Sequence, residues 1–138
     1  MTNGAVFKGR PLCQGKASGP ALVTRERLGF RGYANLEQGT FSGGMGNLEG
    51  AAFAGAVLIF PSSRGSTLWS ITLDQACRFG NAPAAMVIAK RDPFVALGCA
   101  LQEIPLVLVE NGRIFDEIKS GDMVSVDANS GEVRVFKL

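Results

Sequence analysis

Residues 60–69 read FPSSRGSTLW, and they concentrate the chain's most reactive chemistry in one short turn. Ser62, Ser63, Ser66 and Thr67 bring hydroxyls, Arg64 brings a cation, and Gly65 lets the backbone come close to a ligand. They follow the apolar run AVLIF (56–60) and precede a helical pattern, which places them beyond the carboxyl end of a strand and at a helix N-terminus. Ligands of open α/β sheets gather at such ends. Free N–H groups and the positive end of the helix dipole attract carboxylate or phosphate there, and an arginine fork can grip two oxygens at once. A structural account competes with this reading: serine is a favoured helix cap, so Ser63 or Ser66 can serve the helix alone, with Arg64 a solvated charge.

Composition narrows the chemistry further. The 138 residues contain no histidine, which removes His-based dyads, His-ligated zinc and phosphohistidine transfer. Cys13, Cys77 and Cys99 are far apart and form no C-x-x-C pair, so no metal site of familiar spacing is expected, and at least two should be small buried residues. The net charge is +2 with the cations scattered, which argues against nucleic acid as a partner. The N-terminal stretch lacks the build of a signal peptide and no apolar run has membrane-spanning length, so a soluble cytoplasmic protein without membrane attachment is expected.

The elements that must position the turn are legible in the periodicities. AVLIF reads as a strand buried on both faces. A helix is predicted from about Ser66 to Phe79, with Trp69, Leu73, Ala76, Cys77 and Gly80 on one face, an Asp74–Arg78 pair opposite, and Gly80 as its stop. AAMVIA (84–89) reads as a second strand. Asp92 then caps a helix with Pro93 at its first position, running to about Gln102. LVLVE (106–110) gives a third strand, and MVSVDA with VRVFKL a closing hairpin around NSGE. Residues 5–33 suggest barrel-like strands, with VFKG and ALVT as candidates. The glycine-rich stretch 39–50 has the composition of a mobile loop, and lone Tyr33 suits a core or edge position better than a pocket wall. The fold class expected is α/β: one domain over 1–138 with a central parallel βαβαβ unit and a flanking barrel-like β layer.

With GKASGPALVT (15–24), FAGAVLIFPSSRGSTLWS (53–70), NAPAAMVIAKRDPFVALGCALQEIP (81–105) and KSGDMVSVDANSGEVRV (119–135) in view, the chain resembles the aconitase X swivel domain over nearly its whole length. It corresponds to the separate small subunit of that family. The resemblance implies a swivelling β/β/α domain that docks on an aconitase X-type large subunit and helps it eliminate water from a small anionic hydroxy acid. It implies that the cysteines for an iron–sulfur cluster or iron, the Lewis acid for the departing hydroxyl, lie on the large subunit, with no cofactor bound by this chain. The family's catalytic serine follows an Arg-Gly dipeptide, which makes Ser66 the expected base; Ser62, Ser63, Arg64, Gly65 and Thr67 are the expected substrate-binding positions.

Departures bear on the substrate. The family's archaeal phosphomevalonate dehydratases carry an early segment resembling Ser-Phe-Trp-Gly-Gly-Val-Asp. Here LGFRGYANLEQG (28–39) puts Tyr33 in place of a glycine and Asn35 in place of an aspartate, and GNL (46–48) replaces a His-Pro-Leu. These differences favour dehydration of a hydroxy acid such as cis-3-hydroxy-L-proline over phosphomevalonate. A rival from another class is a non-catalytic swivelling carrier or regulatory module, since residues 104–135 resemble phosphohistidine swivel domains; the missing histidine counts against it.

Overall fold

A computed structural model describes residues 2–137. Its strands are β1 (Thr2–Lys8), β2 (Arg10–Cys13), β3 (Lys16–Val23), β4 (Ala34–Asn35), β5 (Thr40–Phe41), β6 (Val57–Phe60), β7 (Ala85–Ile88), β8 (Leu106–Leu108), β9 (Met123–Asp127) and β10 (Glu132–Lys137). Its α-helices are α1 (Leu68–Arg78), α2 (Pro93–Gln102) and α3 (Ile114–Glu117). The eight-stranded sheet runs β1-β10-β9-β3-β6-β7-β8-β2, with β4-β5 a separate pair. Strands β3, β6, β7 and β8 are mutually parallel, as right-handed crossovers through α1 and α2 require, and the remaining pairings are antiparallel.

The sheet's two edges, β1 and β2, are consecutive stretches of chain joined at Gly9. Strand β3 also changes partner, pairing with β9 through Lys16–Pro20 and with β6 through Ala21–Val23. The sheet therefore curls back on itself, which is the barrel-like layer the sequence suggests. Alternation along the central strands fills both of its faces. Val57, Ile59, Ala85, Val87 and Val107 pack with Val124, Val126, Val133 and Val135 in one core. Leu58, Phe60, Met86, Ile88, Leu106 and Leu108 pack with Trp69 and Leu73 of α1 and Val95 and Cys99 of α2 in the other. Unbroken apolar strands follow from this double burial.

Helices α1 and α2 form largely where the periodicity places them, and the short α3 is one the sequence reading does not predict. Asp92 caps α2 through Phe94 N and Val95 N with Pro93 in the first turn, and Arg78 pairs with Asp74 at 2.7 Å. Helix α1 starts two residues later than expected because Gly65 and Ser66 both have positive φ. The reading of 39–50 as a mobile loop needs correction. Phe41, Met45 and Leu48 are fully buried in the helix-side core, so the excursion packs on the sheet and its glycines serve close turns. Two of the three cysteines, Cys13 and Cys77, are half-buried rather than buried, and only Cys99 lies fully inside. No helix is long and apolar enough to cross a membrane among the described residues.

Gly19 marks the tightest packing of β3. A Cβ there would sit 2.3 Å from the Gly55 carbonyl oxygen, a backbone atom with little freedom to retreat. Gly19→Ala should lower the unfolding free energy by about 2 kcal/mol, the scale of an overpacked core; urea unfolding followed by circular dichroism measures it.

Candidate functional site

The turn 61–67 leaves the carboxyl end of β6 and is braced on both sides. Pro61 O accepts N–H bonds from Ala89 (3.2 Å) and Lys90 (3.1 Å), tying it to the end of β7. On the other side Leu28 N–H donates to Ser62 O, and Leu28 O accepts from Arg64 N–H, each at 2.9 Å. The same Leu28 carbonyl accepts the Trp69 indole N–H at 3.1 Å, so α1 is fastened to this segment too.

Asp92 holds the turn from within. Its Oδ1 caps α2, accepting N–H bonds from Phe94 (2.9 Å) and Val95 (3.3 Å). Its Oδ2 accepts both the N–H and the Oγ–H of Ser63 at 2.7 Å. Ser63 Oγ in turn accepts Gly65 N–H at 3.1 Å. Ser63 is buried and its hydroxyl is engaged on both sides, so its bonds fix the shape of the turn.

The chain beyond it takes an uncommon course. Gly65 has φ +88° and Ser66 φ +79°. For serine this left-handed conformation costs on the order of 1 kcal/mol and persists only where neighbours impose it. The result aims Ser66 outward. Ser66 is exposed, its Oγ accepts Leu68 N–H at 3.2 Å, and its carbonyl accepts Trp69 N–H at 3.1 Å. The hydroxyl therefore sits against the first free N–H of α1, where the helix dipole favours negative charge on oxygen. It lines a cavity of about 280 Å³ together with Arg31, Tyr33, Arg64, Leu68 and Trp69.

Of the positions singled out from the sequence, the cavity gathers Arg64, Gly65 and Ser66. Ser62 is half-buried and Thr67, exposed, begins the helix without a side-chain cap; neither lines the cavity. Sequence reasoning prefers a core or edge position for Tyr33. The structure puts its ring on the cavity wall, 4.5 Å below the Arg64 guanidinium, with Arg31, which sequence reasoning missed, on the same wall. Sequence reasoning assigned Asp92 its cap but not its second carboxylate oxygen, a role that depends on β6 and β7 lying side by side.

Electrostatics favour an anion here. Arg27, Arg31, Arg64, Lys90 and Arg91, all in segments bordering this edge, have no carboxylate partner among the described residues. The Asp92 carboxylate is already engaged by four donors. Burial pushes the Cys13, Cys77 and Cys99 thiols above their ordinary range, Cys99 furthest. No cluster of three or more metal-ligating side chains occurs among the described residues. Asp92→Ala should lose the cap and strand Ser63's buried donors, lowering stability by about 2 kcal/mol; chemical denaturation of the purified chain reads this directly, and an unchanged midpoint would contradict the bracing role.

Comparison with known proteins identifies the family and the fold. The family model of the aconitase X swivel domain matches residues 6–135. The chain is similar to the phosphomevalonate dehydratase small subunit of Methanothrix thermoacetophila, with 46% identity over 83% of this chain and 82% of that one. It is 37% identical to the small subunit of the same name from Archaeoglobus fulgidus, over 95% of this chain and 98% of that one. Its fold superposes on the crystal structure of Thermococcus kodakaraensis aconitase X (holo-form) with TM-score 0.87 and 33% identity, covering 97% of this chain and 100% of that chain. The strand–turn–helix that presents Ser66 thus lies in a chain that belongs to the aconitase X swivel domain family.

Proposed function

We propose that this chain is the small subunit of a two-chain hydro-lyase in which Ser66 is the base and Arg64 holds an anionic group of the substrate. The observation that carries this reading is the Ser66 hydroxyl, held outward by a positive φ, touching the first N–H of α1 and sharing one cavity with Arg64. A serine hydroxyl is a weak base, and its alkoxide needs stabilisation. Leu68 N–H and the dipole of α1 supply part of it, and closure by a partner that excludes water strengthens both. Ser66, having given its own proton to solvent, takes the proton from the substrate carbon adjacent to the one bearing the departing hydroxyl. The C–H pair becomes the double bond, and the hydroxyl leaves as hydroxide with the C–O pair, to a Lewis acid that the large subunit would supply.

The cavity is open to solvent beside exposed Leu68, which suits a site completed by the large subunit. An iron–sulfur cluster of the kind the family implies does not fit this chain's own residues. Cys13 and Cys99 line a separate cavity with Gln14 and Glu103, and no group of three or more metal-ligating side chains occurs among the described residues. The cluster is accordingly assigned to the large subunit, and this chain's part is to bind, orient and move the proton.

Two substrates are in view. Phosphomevalonate is supported by the relatives' names and by Arg31 and Arg64, two cavity cations without a carboxylate partner among the described residues, which suit a substrate with a phosphate and a carboxylate. A smaller hydroxy acid such as cis-3-hydroxy-L-proline is favoured by the departures at Tyr33, Asn35 and 46–48, of which Tyr33 lies on the site wall. We place the phosphorylated substrate first.

With the large subunit added, Ser66→Ala should lower kcat by about a thousandfold while the pair still assembles. Near-normal turnover would refute the base assignment. Arg64→Lys should raise KM, because a point charge cannot reproduce a planar fork; steady-state kinetics decides it. Side by side, the pair should dehydrate phosphomevalonate and leave cis-3-hydroxy-L-proline untouched, and the reverse preference would put the smaller hydroxy acid first.

A further inference from the structure

Tyr33 occupies a slot built for its ring. A Cβ added at Gly29 would lie 2.6 Å from Tyr33 Cδ2, and one at Gly44 would lie 2.9 Å from both Cδ1 and Cε1. Glycine on each side therefore lets the ring lie between two backbone segments. The Arg64 guanidinium carbon stands 4.5 Å from the ring centroid, and Arg64 Nη2 donates to Gly44 O at 3.3 Å. Gly29 also approaches Arg64 Cδ, with a Cβ-to-Cδ distance of 3.0 Å. One face of the guanidinium is covered by the ring, one nitrogen is tethered, and both residues line the cavity that Ser66 shares.

An exposed arginine ordinarily samples many rotamers and loses that freedom when it grips a ligand. A guanidinium already laid on an aromatic face has lost part of it beforehand. We propose that Tyr33 is a positioning residue: its ring holds Arg64 with its free N–H edge toward the Ser66 cavity, so that the arginine is pre-set for an oxyanion of phosphate or carboxylate type. This deepens the function proposed above, resting on Arg64 as the anion holder. It assigns the work to the ring face and not to the phenol, since Tyr33 OH makes no hydrogen bond within the described residues.

The test uses the full chain and inorganic phosphate, followed by NMR at the Arg64 Nε–H and the Gly65 amide. In the wild type the Arg64 Nε–H signal should be displaced by the ring current and phosphate should shift both signals saturably. Tyr33→Phe should reproduce both results. Tyr33→Leu should return the Arg64 signal to the position of a free arginine and bind phosphate about threefold to fivefold more weakly, the scale of an exposed cation–π contact. If Tyr33→Leu fails to fold, Arg64→Gln, a change at an exposed side chain, carries the test: the saturable shift at Gly65 should vanish. Phosphate binding by Tyr33→Leu or Arg64→Gln equal to the wild type, or no saturable shift in the wild type, would overturn the proposal. In the reconstituted pair Tyr33→Leu should raise KM more than it lowers kcat, with Tyr33→Phe restoring KM. A pair that dehydrates no hydroxy acid, beside an intact phosphate response, would reject the hydro-lyase reading and leave the Tyr33 assignment standing.

Discussion

The Asp92 carboxylate stands where two strand–helix junctions meet, and the geometry of the candidate site descends from its bonds. One oxygen serves the N-terminus of α2, and the other serves the turn that leads into α1. Ser63 is buried, and without that second oxygen its N–H and hydroxyl would lose their acceptor. An unmade bond to a buried donor costs on the order of 1–3 kcal/mol, comparable to the strain of placing a non-glycine residue at positive φ. The same contact that satisfies Ser63 thus offsets the strain at Ser66. The geometry of the candidate site is an outcome of polar groups finding partners inside the fold.

That arrangement needs β6 and β7 side by side with their carboxyl ends level. Their register, Val57 to Ala85 through Phe60 to Ile88, brings Pro61 beside Ala89 and Lys90 and puts Asp92 within reach of Ser63. Double-sided burial fixes the register, because a one-residue slip would exchange every side chain between the two cores. Closure of the sheet through Gly9 adds a second lock by giving β8 a neighbour, β2, that is continuous with β1 on the far edge.

Much of this was legible in the sequence, and the reason is locality. Period-2 and period-3.6 patterns, the Asp92–Pro93 helix start and the Gly80 stop are set by residues a few positions apart, and the structure reproduces each. The turn 61–67 stood out because hydroxyls, a cation and a glycine follow a buried strand. Three features were not legible. The folding of 39–50 depends on Phe41, Met45 and Leu48 reaching a core assembled from distant strands, which composition cannot reveal. Asp92's second role and the Tyr33–Arg64 stack both join segments about thirty residues apart. The stack does leave a faint trace in the sequence: a lone tyrosine near Gly29, with Gly44 further along, is the pattern of a ring lodged against bare backbone.

The central claim is that Ser66 Oγ meets the proton that leaves. Its most direct measurement is a structure of this chain with its large subunit and an analogue of the substrate that binds but cannot eliminate. The expected result is Ser66 Oγ at about 3–3.5 Å from the carbon that would lose its proton, the separation of a reactive pair, with Arg64 on an anionic group of the same molecule. A bound analogue whose carbon faces another residue, with Ser66 turned away behind the Gly65 backbone, would contradict it.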